Sequence, residues 1–145
     1  MDKILNALER QLCDIQGRLF ERSLAKGLDS ADFINKFMNS NTCEHLDLPY
    51  DRLQWAGEEY ILEDLLDETP VQPAGEQYSR ETLFWAGYVY RYWHFHTGES
   101  GREIYFQANA GRMNDCYNGF HTLDVNMVIE DLKEICRQEE HQLKK

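Results

Sequence analysis

The sequence predicts an all-α bundle of about five to seven helices, and three observations carry that expectation. Apolar residues recur at spacings of three and four in the first and last segments. Serine, aspartate and glycine stand at the ends of those segments, where helix caps belong. The long aromatic run in the middle lacks the strict alternation of a strand and exceeds ordinary strand length. The 145 residues fit one compact domain, with 42% hydrophobic residues to fill its core.

The first helix is expected over about Asp2 to Lys26, with Ile4, Leu8, Leu12, Ile15 and Leu19 forming one stripe. Gly17 weakens its interior and Gly27 terminates it. A shorter helix follows, capped by Asp29 or Ser30, with Ala31, Ile34, Phe37 and Met38 turned inward. "NSNTCEHLDLPY" reads as an irregular connection. The next helix is expected from Pro49 to Asp67, because proline suits a first turn. There Leu53, Ala56, Tyr60, Ile61 and Leu65 face the core, and Trp55, Leu62 and Leu66 widen the apolar surface. So broad a stripe is compatible with several helix neighbours or with a homodimer.

Residues 69–79 hold Pro70, Pro73 and Gly75 and form a loop within the domain. Ser79 caps an aromatic-rich central helix that runs through His96 and stops at Gly98. One face carries Phe84, Tyr88, Arg91 and Phe95, and another Trp85, Tyr92 and His96; Ala86 and Gly87 admit a close neighbour. Ser100 and Glu103 have capping-box spacing and open another helix, interrupted near Gly111. A short piece from Arg112 to Phe120 precedes a last helix over about Asp124 to Gln142. Its stripe is Val125, Val128, Ile129, Leu132, Ile135 and Cys136, and Lys144 and Lys145 suit its negative pole.

Charge narrows the partners. The formal net charge is −11, which opposes nucleic acid, and no basic patch offsets it. Eleven acidic and two basic residues lie between Glu44 and Glu81. The densest part is Glu58 to Glu68, where Glu58, Glu59, Glu63, Asp64, Asp67 and Glu68 stand without a positive side chain. Those six are the expected partner-binding residues, either as a face for a basic protein or as a solvated helix surface. Tyr60, Trp55 and Tyr78 would serve as aromatic anchors if exposed. No apolar run reaches the length needed to span a bilayer, and no secretory leader is seen, so a cytoplasmic protein is expected. Cys13, Cys43, Cys116 and Cys136 form no C-x-x-C pair and read as reduced thiols.

Chemical motifs are few. His94 and His96 do not share a helix face, and no H-E-x-x-H or phosphate-binding glycine loop occurs. No metal site and no cofactor are expected. Arg91 and His96 in "YRYWHFH" have the spacing R-x4-H, which resembles the R-x4–6-H signature of the HEPN group. That resemblance implies a compact helical ribonuclease in which the histidine moves a proton and the arginine holds phosphate. Tyr92 replaces the polar residue expected after the arginine, and residues five apart diverge by roughly 140° on a helix.

A second resemblance covers residues 30–136. "YDRLQWAGEEYILEDLLDE", "LFWAGYVYRYWHFHTGES" and "GFHTLDVNMVIEDLKE" together look like a small bacterial antitoxin-associated protein. It implies a cytoplasmic protein that binds and restrains a separately encoded toxin; the acidic helix would complement a basic surface on that toxin, and the expectation is a non-catalytic interaction module.

Overall fold

The computed structural model describes residues 4–49 and 51–143. They form eight α-helices and one 3-10 turn, with no strand among them. The helices are α1 (Ala7–Ala25), α2 (Ser30–Met38), α3 (Asn41–Asp47), α4 (Glu58–Glu68), α5 (Arg80–Thr97), α6 (Gly101–Gln107), α7 (Ala110–Phe120) and α8 (Val125–Leu143). The 3-10 turn is Arg52–Trp55. The all-α expectation holds, and the number of helices exceeds the five to seven expected.

The extra elements have identifiable causes. Ser40 caps α3 by accepting the amide of Cys43, so most of the stretch expected to be irregular is helical. The helix expected from Pro49 is broken at Gly57, whose φ of 85° lies outside what other residues readily adopt. The break leaves the 3-10 turn on one side and α4 on the other. It also turns Ala56 and Tyr60 to solvent, although both were expected in the core. Trp55 is likewise exposed, whereas Leu53, Ile61, Leu62 and Leu65 are buried.

The ends of α1 shift for a similar reason. Asn6 and Glu9 form a capping box, so α1 begins at Ala7. Ile4 precedes the helix and is exposed, while Leu5 is buried in its stead. The expected start at Asp2 and the lysines at 144 and 145 lie outside the described residues. Asp29 caps α2, Ser79 caps α5, and Ser100 with Glu103 boxes the start of α6, all at the expected places. The interruption expected near Gly111 falls at Ala108 and Asn109 instead, because Asn109 caps α7.

The core is built around α1 and α5, the most extensively packed pair. Gly17 and Gly87 permit their approach. An added methyl at Gly87 would lie 2.6 Å from the backbone oxygen of Gln16, and one at Gly17 would lie 2.7 Å from the Phe84 ring. Phe20 of α1 meets Phe33 and Phe37 of α2 edge-on, with centroids 5.2 and 5.5 Å apart. Tyr90 of α5 is buried and donates its hydroxyl to the Ala108 carbonyl at 2.6 Å. Val128, Ile129 and Leu132 of α8 close the same core cluster.

The loop over 69–79 is tied to the start of α2. The Asp29 carboxylate accepts the amides of Asp32 and Glu76, each at 2.9 Å. The Ser30 hydroxyl accepts the Tyr78 amide, and Asp32 accepts that of Gln72. Tyr78 is therefore buried.

A carboxylate joins α5, α6 and α8. Glu99 accepts from the Trp93 indole at 2.9 Å and pairs with Lys133 at 2.6 Å; Gln107 also donates to it. Desolvation pushes this carboxyl up, but bonds from Lys133, Trp93, Gln107 and Thr97 outweigh it and bring it from 4.5 to about 2.

Two predictions arise here. Gly87→Ala lowers stability by about 1–3 kcal/mol because backbone blocks the methyl, whereas Gly119→Ala, with open space around it, raises stability by a few tenths to about 1 kcal/mol. Urea midpoints at constant m check both. For Glu99 the folded value is the lower one, so its stabilisation is complete above about pH 4.5 and fades as pH falls toward 2. Glu99→Gln therefore destabilises at pH 7 and much less near pH 2, as read from urea unfolding at the two pH values.

Candidate functional site

The central helix places Arg91 inside the protein, with 3% of its surface exposed. Its Nε donates to Gln16 Oε1 at 2.9 Å and its Nη1 to Asp47 Oδ1 at 2.6 Å. Its Nη2 faces Cys43 Sγ at 3.7 Å. The other Asp47 oxygen accepts the Gly101 amide at 3.3 Å, and the Asp47 carbonyl lies 3.2 Å from His94 Nε2. Arg91 thus joins α1, α3 and α5, and Asp47 extends the connection to α6. His96 is half-buried and belongs to a separate row, with its ring 6.3 Å from that of Tyr92. The arrangement engages the guanidinium with protein groups and does not bring Arg91 and His96 together on an open surface.

Nearby thiols are not poised for nucleophilic work. Burial pushes Cys43 up to about 12 despite the opposing influence of Arg91, and Cys13 rises to about 12 for the same reason. Among the described residues, no group of three His, Cys, Asp or Glu side chains is arranged to hold a metal ion.

The six carboxylates of α4 separate into three pairs. Glu58 and Glu59 reach back to α1, where they meet Arg18 at 3.4 Å and Arg22 at 2.6 Å. Asp64 and Glu68 turn toward the start of α3. Asp64 accepts the Thr42 hydroxyl at 2.9 Å. Glu68 accepts the amides of Asn41 and Thr42 at 2.7 and 2.9 Å, and the Thr42 hydroxyl as well. Desolvation works to raise the Glu68 carboxyl, and those donors hold it below its usual range. Glu63 and Asp67 are exposed and have no bonded partner among the described residues.

Tyr60, Glu63 and Asp67 are spaced three and four apart and so share one side of α4. Tyr60 is 57% exposed and Trp55, across the Gly57 break, 66%. Tyr60 also edges a shallow hollow of about 670 Å³ between α3, the 3-10 turn and α4, together with His45, Asp51, Arg52 and Asp64. A second hollow of about 300 Å³ adjoins it through His45 and Asp64, and reaches Asp67 and Glu68. The two make an acidic valley with Tyr60 at one end. The carboxylates were legible as a cluster. The contribution of α3 to the valley was not, since that helix was read as a loop.

Arg91→Ala leaves the Asp47 carboxylate buried without its charge partner and costs about 3–5 kcal/mol. His96→Ala costs well under half of that. Thermal or urea unfolding of the two variants measures the difference, and it assigns Arg91 to the interior rather than to a surface site.

No family model matches the chain, and neither a curated protein nor a solved structure matches it, so the function must be read from its own residues.

Proposed function

We propose that this chain is a non-catalytic protein-interaction module whose acidic valley between α3 and α4 receives a basic protein. In its finer form the proposal makes the partner a separately encoded basic toxin, restrained by the bound complex as an antitoxin restrains it. The observation that carries the reading is that Glu63 and Asp67, exposed and without a bonded partner among the described residues, share one side of α4 with exposed Tyr60, while Trp55 is exposed in the 3-10 turn before it. Tyrosine and tryptophan supply large contact area at low entropic cost, and the surrounding carboxylates steer a cationic surface into register. Of the other four carboxylates of α4, Asp64 and Glu68 line the valley and are bound to the start of α3, while Glu58 and Glu59 are committed to arginines of α1.

The HEPN-like alternative rests on Arg91 and His96, and the bonds made by Arg91 lend it no support.

Co-purification of the tagged chain from its native cells, followed by identification of what remains bound, tests the proposal. A basic protein should be recovered in stoichiometric complex, and its association should weaken steeply as salt is raised. Glu63→Lys with Asp67→Lys should reduce affinity by at least about tenfold, and Tyr60→Ala by a similar factor. Neither change should lower the unfolding midpoint appreciably, because all three side chains face solvent and a lysine at 67 suits the C-terminal end of α4. Full binding by the charge-reversed variant would exclude this face, and a recovered basic partner whose activity is unchanged in the complex would exclude the finer form.

A further inference from the structure

The opposite side of α5 carries a row of rings that the α3–α4 valley does not use. Phe84, Tyr88, Tyr92 and His96 follow one another at i, i+4, i+8 and i+12 along the helix, with successive centroids 6.2, 6.3 and 6.3 Å apart. All four are half-buried. At the N-terminal end of this row α7 adds a second wall. Tyr117 meets Trp85 nearly at right angles, with centroids 5.7 Å apart and planes at 81°. His121 stacks on the outer side of Tyr117 at 4.4 Å and 10°, held by a 2.8 Å contact between its Nδ1 and the Tyr117 carbonyl. Of these rings, Phe84, Trp85, Tyr88, Tyr117 and His121 line a groove of about 560 Å³ between α1, α5 and α7.

The charged groups at the rim decide what the groove suits. Glu21, Arg80 and Glu81 stand at its edge. Arg80 is ion-paired with Glu21, which neutralises both. Glu81 is exposed, forms no ion pair among the described residues and feels Arg80 only at longer range, so two carboxylates share one guanidinium and the rim keeps a net negative charge beside the rings. Aromatic faces carry negative quadrupoles that attract a cation. Trp85 and Tyr117 meet edge to face and His121 covers one face of Tyr117, so the surface left to a cation is the part of both rings that borders the groove. A neutral apolar ligand would use the rings but not Glu81. An anion would be repelled by both.

We propose that this groove is a cation–π site that seats an arginine side chain of a partner polypeptide. Its planar guanidinium stacks in the corner of Trp85 and Tyr117 and points its donors at Glu81. Lysine fits less well, because its compact ammonium keeps its hydration and does not stack. The site is independent of the α3–α4 valley: it shares no residue with that valley, and the failure of one leaves the other standing.

The probe is a capped Gly-Arg-Gly peptide, titrated into the full chain while the indole resonances are followed by NMR and assigned through Trp85→Phe. The Trp85 signal should shift saturably, with a dissociation constant on the order of millimolar for so small a ligand. The isosteric citrulline peptide, which lacks the charge, should bind roughly threefold to thirtyfold more weakly. Glu81→Gln, a change at an exposed position, should weaken the arginine peptide several-fold, and Tyr117→Leu should abolish the response. Glu63→Lys with Asp67→Lys should leave it intact, which separates this site from the valley. Equal binding of the citrulline peptide, a shift at Trp55 in place of Trp85, or no saturable shift at Trp85 would overturn the proposal. So would an unaltered response in Tyr117→Leu when its circular dichroism shows an intact fold.

Discussion

Burying the charge of Arg91 is the constraint from which most of this architecture follows. A guanidinium removed from water must find both a countercharge and acceptors for its donors, or the fold bears a penalty of several kcal/mol. Asp47 supplies the charge and Gln16 the further acceptor. Gln16 does so only because α1 lies close against α5, and its amide donates to the Gly87 carbonyl at 2.9 Å while its oxygen holds Arg91. The glycine contact and the arginine are therefore one assembly. Asp47 sits at the end of α3, so α3 must form and dock if Arg91 is to be neutralised. The unexpected helix is thus a requirement of the buried charge.

The acidic helix shows how one composition can serve two ends. Carboxylates at the C-terminal end of α4 oppose its own dipole. Glu68 is relieved of that conflict by α3, whose first amides it accepts, so the unfavourable end of one helix is matched to the favourable end of another. Glu58 and Glu59, at the N-terminal end, already suit the dipole and bind α1 as well. Glu63 and Asp67, between these anchored pairs, face solvent on a helix that its neighbours hold in place. A partner meeting them would face a surface ordered in advance, with little further conformational entropy to lose.

Much of the fold was legible in the sequence where a local signal coincides with a local structure. Asp29, Ser79, Gly98 and Ser100 announce helix ends through their own backbone and side-chain chemistry, and each stands where it was read. The failures are equally physical. Gly57 was not recognised as a break, so the register of Ala56 and Tyr60 was carried through it onto the wrong side. Residues 39–50 are polar and held only a short apolar pattern, which hid α3; Ser40 as its cap was the available clue. At the site, the six carboxylates could be located, but their separation into anchored and open pairs depends on Arg18, Arg22 and Thr42, which are 22 to 40 residues away. Spacing along one helix carries no information about such partners. The perpendicular rings of Trp85 and Tyr117 were invisible for the same reason.

The loop over 69–79 has a bearing on motion. Prolines and a glycine ordinarily mark a segment that opens readily. Here Gln72, Glu76 and Tyr78 each place an amide on a side chain at the first turn of α2, and Leu28 pairs with Pro73 across an isolated bridge. Releasing the loop would strip Asp29 and Ser30 of bonds that also set the start of α2. Loop and helix terminus are thereby coupled, and the amide hydrogens of Gln72, Glu76 and Tyr78 should exchange only as fast as the first turn of α2 opens.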